Sequence, residues 1–392
     1  MVSVRMQPNY RAVSHFALEY EQKGNAMSTQ KSTCEHSNFM SQALHLAKRG
    51  RYTVSPNPMV GCLIVKNGQI LGQGYHQRAG GPHAEIYALK EAGKAAHGAT
   101  AYVTLEPCCH FGKTPPCTSA LIEAGISKVY VATQDPYTLV AGKGIQALQA
   151  AGIEVEIGLL RQEAQSLNEI FFHYITRQRP FVIAKWAMSL DGKTITHADD
   201  NRDISSPESQ QTAHDIRQQV DAILIGAKTA CYDNPQLTAR FTTENTSVTK
   251  QPIRIVLTTH GNLPMDLKIF DPLMPAKTII ATTGDADKSW CQLMTNKNME
   301  ILILPKNERG QVDLPSLLDA LGKREITSLL VEGGMTVHES FFNEHLVNKV
   351  QVYLAPVIIG SLPAKKPLKI LNISHLARDI HLTADYEDTS YV

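Results

Sequence analysis

Three side chains constrain the fold of this chain more than any other feature. They are His83, in Gly80-Gly81-Pro82-His83-Ala84-Glu85, and Cys108 and Cys117, which bracket Pro107-Cys108-Cys109-His110-Phe111-Gly112-Lys113-Thr114-Pro115-Pro116-Cys117. To share one metal ion they must be brought to a point by a fold that aims two chain segments at it. Local signals say how. Gly80-Gly81-Pro82 breaks the chain just before an apolar-periodic stretch holding Ile86, Ala88, Leu89 and Ala92, which predicts a helix with His83 and Glu85 in its first turn. Pro115-Pro116 precedes Cys117-Thr118-Ser119-Ala120-Leu121-Ile122, a second helix start. Two helix N-termini directed at one ion favour thiolate cysteines through their partial positive charge.

One imidazole and two thiolates hold zinc while leaving its fourth position to water. Zinc lowers the pKa of that water from about 16 toward 7, so hydroxide is available to attack an amidine-like ring carbon. Glu85, not itself a ligand, then carries the proton to the ring nitrogen and to the departing ammonia. This is the equipment of a hydrolytic deaminase. A structural zinc site is the alternative; such sites close with a fourth Cys or His, and both His110 and Cys109 lie in the loop. Cys109 can also replace Cys108 in a shifted register. Cys108 is preferred because a Pro-Cys pair at the end of the strand Ala101-Tyr102-Val103-Thr104-Leu105 fits the deaminase pattern, which leaves Cys109 a spare thiol.

Length and charge bound the rest. A chain of 392 residues, 43% hydrophobic, has room for two or three domains. A net charge of +1 gives no support to a nucleic-acid binder. Seven cysteines, with the tightest cluster spent on the metal motif, point to a reducing compartment. No apolar run reaches the length of about 18 to 20 residues that spans a bilayer. Residues 1–37 are polar without a signal-peptide core, so the protein is expected in the cytoplasm, and Met27 opens a segment that would serve as a start. Residues 1–26 are then an upstream-start artefact or a disordered arm.

From Ser37 the pattern sharpens. Met40, Ala43, Leu44 and Ala47 share a helical face that ends at Gly50. Strands are predicted at 60–66 and 70–75, joined by the hairpin signal Asn67-Gly68, then at 101–105, 128–132 and 153–157 with helices between. The economical architecture is a mixed sheet with helices on both faces. Helical periodicity runs again from about Leu160 to Tyr174. At Arg177-Gln178-Arg179-Pro180 the composition changes, and the domain boundary is placed there. The second half restarts with the strand Phe181 to Ala187, with further strands near 221–225, 252–258, 277–282, 301–304, 327–331 and 349–355, a second α/β domain.

Its best chemical signal is Ser328-Leu329-Leu330-Val331-Glu332-Gly333-Gly334-Met335-Thr336, a buried strand running into a Gly-Gly turn and a helix. Glycines let backbone amides approach a phosphate at a helix N-terminus, although a plain tight turn reads the same way, and no dinucleotide-binding Gly-x-Gly-x-x-Gly is present. Glu332 at the strand end is a ligand-binding carboxylate or a solvated residue. Lys185, inside an otherwise apolar strand, needs a partner. Asp191, in Ser189-Leu190-Asp191-Gly192, is either a turn former or catalytic.

These residues resemble a known family. Pro56-Asn57-Pro58-Met59-Val60-Gly61-Cys62, Gly81-Pro82-His83-Ala84-Glu85, the Pro107 to Cys117 loop, Gly142-Lys143-Gly144-Ile145, Lys185-Trp186-Ala187-Met188-Ser189-Leu190-Asp191-Gly192 and Val331-Glu332-Gly333-Gly334 occur in the order found in the bifunctional deaminase/reductases of riboflavin biosynthesis. The resemblance covers roughly residues 38 to 392. It implies an N-terminal cytidine-deaminase-like three-layer domain over 38–176 that hydrolyses the 2-amino group of 2,5-diamino-6-ribosylamino-4(3H)-pyrimidinone 5′-phosphate. A dihydrofolate-reductase-like α/β domain over 177–392 then uses NADPH to deliver hydride to the sugar C1′, reducing ribosyl to ribityl. By the same resemblance His83, Cys108 and Cys117 hold zinc and Glu85 is the proton carrier. Asn57, His110 and Lys113 contact the pyrimidine or its phosphate. In the reductase, Lys185 and Glu332 are catalytic, Met188, Thr229, Asp233, Gly334, Met335 and Thr336 contact the cofactor, and Asn201, Arg217, Leu237, Arg240 and Glu332 contact substrate. Thr258 and Thr259, which follow the strand Ile253 to Leu257, can meet the 2′-phosphate of NADPH or simply form a turn. Arginines suit the substrate phosphate because their planar fork binds it with two hydrogen bonds. The expected partner is a small pyrimidine ribotide, with neither nucleic acid nor membrane, and the chain is expected to be a homo-oligomer.

Two departures stand out. Asp203, in Arg202-Asp203-Ile204-Ser205-Ser206, replaces a Trp usual in the family, so a stacking contact to the cofactor is lost. Asp135-Pro136-Tyr137-Thr138 replaces Asp-Pro-Asn-Pro on one wall of the deaminase pocket. An active deaminase with a weakened or non-catalytic C-terminal half is therefore the alternative reading.

Overall fold

The computed structural model describes residues 34–110, 115–137, 141–194, 204–240, 250–360, 366–376 and 379–386. The expectations for residues 1–33, Lys113, Thr138, Asn201 and Asp203 lie outside these. The chain divides into two compact units that meet between Glu169 and Ile170.

The first unit opens with helix α1 (34–47), followed by strands β1 (Gly61–Lys66) and β2 (Gln69–Tyr75). Asn67 and Gly68 both have positive φ, 51° and 75°, the backbone that a two-residue hairpin loop needs. Then come α2 (Ala84–Ala92), β3 (Thr100–Val103), α3 (Cys117–Glu123), β4 (Lys128–Val131), α4 (Lys143–Ala150), β5 (Glu154–Ile157) and α5 (Arg161–Leu167). The sheet order is β2-β1-β3-β4-β5, antiparallel around β1 and parallel from β3 to β5. Alternation along the strands buries both faces. Cys62, Ile64, Ala101, Val103, Val129 and Val131 pack with Ala84, Ala88 and Ala92 of α2, Leu121 of α3 and Leu148 of α4. Leu63, Val65, Tyr102 and Tyr130 pack with Met40, Ala43 and Leu44 of α1 and Ala164 of α5. The result is the expected helix–sheet–helix sandwich. Helix α2 lies close on β2 because Gly72 and Gly74 carry no side chain: a Cβ there would sit 2.2 Å from the Ala88 carbonyl oxygen and 2.3 Å from that of Ala84.

The single helix expected from Leu160 to Tyr174 is instead two, α5 and α6 (Glu169–Arg177), broken at Asn168. The buried Asn168 amide accepts from Met59 N at 2.8 Å and donates to Met59 O at 2.9 Å. This long-range pairing overrides the local helical period.

The second unit contains β6 (Phe181–Ser189), α7 (Pro207–Gln219), β7 (Ala222–Gly226), α8 (Ala227–Asp233), β8 (Ile253–Leu257), β9 (Thr278–Thr283), α9 (Lys288–Asn296), β10 (Glu300–Leu304), α10 (Leu314–Gly322), β11 (Ser328–Val331), α11 (Met335–Asn343) and β12 (Lys349–Ala355). Seven strands form a sheet in the order β10-β9-β8-β7-β11-β6-β12, every pairing parallel. A parallel sheet is covered on both faces. Ile183, Ile223, Ile225, Val256 and Leu330 face Trp290 and Met294 of α9, whereas Val182, Leu224, Ile255 and Leu329 face Leu314, Leu317 and Leu321 of α10. After residue 355, where no element was expected, the chain adds β13 (Val357–Ile358), β14 (Lys366–Leu376) and β15 (Asp379–Tyr386), an antiparallel set. Among the described residues no helix is long and apolar enough to cross a membrane.

Candidate active sites

In the first unit, His83 is the residue that caps α2, just before its first turn, and Glu85 follows inside that turn. Cys117 opens α3, and Cys108 ends the segment that leaves β3. His83 Nδ1 lies 3.1 Å from Cys117 Sγ and 3.5 Å from Cys108 Sγ. The three ligand atoms all fall within 4.8 Å of one another, a donor set of one imidazole and two sulfurs that suits a borderline-soft divalent ion such as zinc. Cys109 is not part of this cluster. The hydrogen bond from Cys117, together with His83, holds the Cys108 thiol well below the usual range despite burial. That same bond, with burial, pushes Cys117 up. The Cys108 partner also draws His83 upward.

Glu85 is buried, and its Oε2 has no hydrogen-bond partner. Burial raises its carboxyl, the shift a proton carrier needs. Asn57 Nδ2 lies 3.1 Å from His76 Nε2, and His76 Nδ1 lies 3.0 Å from Pro82 O. His76 must therefore donate from Nδ1 and accept at Nε2, which leaves the Asn57 carbonyl oxygen to face elsewhere. His76 also sets its ring edge-on to His83, centroids 5.4 Å apart. No motif pointed to His76; only its position directly after β2 hinted at a role. His110 is exposed, and Tyr137 is half-buried.

In the second unit a cleft of about 1490 Å³ runs along the C-terminal ends of the strands, the usual ligand position in such sheets. Lys185, Arg217, Thr229, Asp233, Arg240, Thr259, Glu332, Gly334, Met335 and Thr336 all line it. Met188 and Leu237 do not. Leu237 is 3% exposed in the core beside Ile223 and Val256, with φ 52°, and Met188 pairs in register with Leu354 of β12. Glu332 directly follows the buried β11, and Arg217 of α7 grips its carboxylate through two nitrogens, at 2.9 and 2.5 Å. Burial works to raise Glu332, but the Arg217 charge and hydrogen bond, helped by the Lys185 and His214 charges, together outweigh it and leave the carboxyl low. Lys185 finds the partner it needs in the Tyr353 ring, 5.3 Å from its ammonium. Gly333 lies so close to β7 that a Cβ would meet Ile225 Cβ at 2.6 Å, and Gly334 has φ 67°, so the Gly-Gly turn is required by packing. Asp191 accepts from Ser189 Oγ at 2.6 Å and from the Ile359 and Gly360 amides at 3.1 and 2.7 Å, a turn-pinning role.

The cleft also holds Trp186, His214 and His338, which sequence reasoning passed over as site residues. His214 precedes Arg217 by one helical turn, a spacing legible in advance. Its imidazole is pushed down to about 4 by burial and by the charges of Arg217 and Arg240. His338 packs on Trp186 with ring centroids 5.4 Å apart.

Comparison with known proteins follows the same division. Residues 33–133 match the cytidine and deoxycytidylate deaminase zinc-binding region, and residues 180–390 match the RibD C-terminal domain. The riboflavin biosynthesis protein RibD of Aquifex aeolicus is 44% identical over 323 residues, 82% of this chain and 87% of that protein. RibD of Escherichia coli is 40% identical over 365 residues, 88% and 97% of the two chains. Among solved structures, RibD of Acinetobacter baumannii superposes with a TM-score of 0.75 at 36% identity, covering 91% of this chain and all of that one. The diaminohydroxyphosphoribosylaminopyrimidine deaminase/5-amino-6-(5-phosphoribosylamino)uracil reductase of Thermotoga maritima gives 0.74 at 34% identity, covering 91% and 99%. With both domains matched in order along nearly the whole chain, the protein belongs to the RibD family, the bifunctional deaminase/reductases of riboflavin biosynthesis.

Proposed function

We propose that this chain deaminates 2,5-diamino-6-ribosylamino-4(3H)-pyrimidinone 5′-phosphate in its first unit and reduces the resulting ribosyl side chain to ribityl in its second. The observation that carries the first step is the convergence of His83, Cys108 and Cys117 beside a buried carboxyl, Glu85, with a free oxygen. His83 Nδ1 and the two sulfurs hold zinc, which when bound supplies the Lewis acidity that makes water a competent nucleophile near neutral pH. Glu85 takes the proton from the attacking water and passes it to the ring nitrogen and then to the leaving ammonia. Asn57, oriented by His76, and His110 and Lys113 contact the pyrimidine or its phosphate.

For the second step the cleft fits a dinucleotide. From β6 to the turn after β10 it crosses five inter-strand spacings of about 4.8 Å, roughly 24 Å. NADPH supplies the hydride. Thr229, Asp233, Thr259, the Gly334-Met335-Thr336 turn and Met188 contact the cofactor. Arg240 meets the substrate phosphate and Arg217 contacts substrate while holding Glu332, and Lys185 moves the proton at the ribosyl end beside Glu332. Leu237, buried as it is, offers substrate only its backbone, and Asn201 completes the set. The functional boundary lies at Arg177 to Pro180, where α6 ends. Apolar Val350, Val352 and Leu354, 41 to 45% exposed on the edge strand β12, favour a homo-oligomer. Seven free cysteines favour the cytoplasm.

A coupled assay with the diaminopyrimidine ribotide tests the reading: ammonia release followed by NADPH oxidation, one per substrate, is expected. Ammonia without NADPH oxidation would select the deaminase with a non-catalytic second half, which the reductase match over residues 180–390 does not favour.

A further inference from the structure

Gly142-Lys143-Gly144-Ile145 takes no part in the binding described above, yet its backbone is gathered on one side chain. Glu106 is 4% exposed. Its Oε1 accepts from the Gly144 and Ile145 amides at 2.9 and 3.2 Å, and its Oε2 from the Gly142 and Asp135 amides at 3.0 and 3.2 Å. Three of these donors belong to the N-terminal turn of α4, whose capping residue, Gly142, has no side chain with which to satisfy them. A carboxylate from a distant strand end thus does the work of an N-cap, with the helix dipole in its favour.

The same residue is tied to the metal cluster. A Cβ on Gly144 would stand 2.1 Å from Pro107 O, so only glycine lets α4 seat against the Glu106-Pro107-Cys108 backbone. Cys108 is held in turn by α3: its carbonyl accepts from Thr118 N at 3.2 Å and its sulfur from Cys117 N at 3.4 Å. Asp135, held by its amide on Glu106, receives Tyr137 N at 2.8 Å on its own carboxylate. One buried carboxylate therefore joins Asp135 and the start of α4 to the Cys108 ligand.

We propose that Glu106 is a positioning residue of the deaminase, fixing the pocket wall at residues 135–137 and 141–145 relative to Cys108 so that the pyrimidine is received in one orientation. The proposal rests on the deaminase reading. It assigns Gly142-Lys143-Gly144-Ile145 to that wall as the backbone Glu106 grips, with no side-chain contact of its own to substrate.

The test uses the zinc-loaded full chain. Glu106→Gln keeps the shape but turns one acceptor oxygen into a donor that faces other donors. Amide exchange at Gly142, Gly144 and Ile145 should quicken by about tenfold or more while that of β5 stays unchanged. KM for the diaminopyrimidine ribotide should rise by about tenfold with kcat within about threefold, because the wall and not the proton carrier is displaced. Zinc should stay at one per chain, and NADPH oxidation on the deaminated ribotide should match the native rate. Glu106→Asp, which keeps both oxygens, should restore part of KM, and Gly144→Ala, which strains the clamp from the other side, should raise KM as Glu106→Gln does. Unchanged amide exchange in Glu106→Gln overturns the proposal. So does a native KM in Glu106→Gln and Gly144→Ala with only the melting temperature or active fraction reduced, the mark of a purely structural residue. If the native enzyme releases no ammonia, the deaminase reading fails, and with it the role given to Glu106, while exchange still reports whether the clamp exists.

Discussion

Arg217 and Glu332 meet as a two-pronged pair across 115 positions of sequence, with Nε to Oε1 at 2.9 Å and Nη2 to Oε2 at 2.5 Å. The third guanidinium nitrogen donates to Thr238 O at 3.3 Å. The two side chains are 16% and 7% exposed. A residue expected to meet phosphate is thus already committed to a carboxylate expected to act on substrate, and each sets the charge of the other.

Breaking this pair from one side should cost more than removing it. Arg217→Met leaves Glu332 buried without its counter-charge and is expected to destabilise the second unit by about 3 kcal/mol or more, whereas Arg217→Met with Glu332→Leu loses less. Both abolish NADPH oxidation. Urea unfolding followed by tryptophan fluorescence reads this unit selectively, since Trp186 and Trp290 are the two tryptophans of the chain. A double variant as unstable as the single one would contradict the expectation.

Glu85→Gln should lower ammonia release by about 10²- to 10⁴-fold, the range of a lost general acid–base group. Zinc content and NADPH oxidation on the deaminated intermediate should not change. Parallel ammonia and NADPH assays on one preparation check all three, and retained ammonia release would remove Glu85 from its role.

Metal removal should separate the two activities. Dialysis against a chelator is expected to stop ammonia release, to be reversed by added zinc, and to leave NADPH oxidation of the deaminated ribotide intact. Cys108→Ser should lose the metal, whereas Cys109→Ser should keep it. Metal analysis of the two variants decides between the ligand registers.

His214 should make the stability of the second unit depend on pH. Its folded-state pKa is pushed down to about 4 by burial and by Arg217 and Arg240, below the ordinary value near 6.5. Between these values the unfolded chain binds the proton and the folded one does not, so stability is full above about 6.5 and falls as pH drops toward 4. His214→Gln should flatten that part of a melting-temperature profile taken between pH 4 and 7; an unchanged profile would assign the dependence elsewhere.

Much of the fold was legible because the strands are short, apolar and set off by strong punctuation. Asn67-Gly68 specifies its hairpin through local backbone preference, and Met40, Ala43, Leu44 and Ala47 mark the buried face of α1 by period alone. The metal cluster was legible for the same reason: prolines and glycines mark where α2 and α3 begin. What escaped were interactions between residues far apart in sequence. Helicity from 160 to 174 looks continuous until Asn168 finds the Met59 peptide. His76 and Glu106 carry no local pattern, because what distinguishes them is the backbone groups they meet. Leu237, which the resemblance puts among the substrate contacts, has a positive φ and a side chain in the core, and no local pattern announces either.

Asn168 has one more consequence. The peptide it satisfies at both its N–H and its C=O belongs to Met59, two residues from Asn57, so the loop that carries Asn57 is pinned by an amide 109 positions downstream. During synthesis that pin is missing until the ribosome has released α5 and the Asn168 that follows it. A separately expressed deaminase fragment accordingly has a minimum length set by chemistry: one that stops short of residue 168 retains every metal ligand but lacks the latch that holds the Asn57 loop in place.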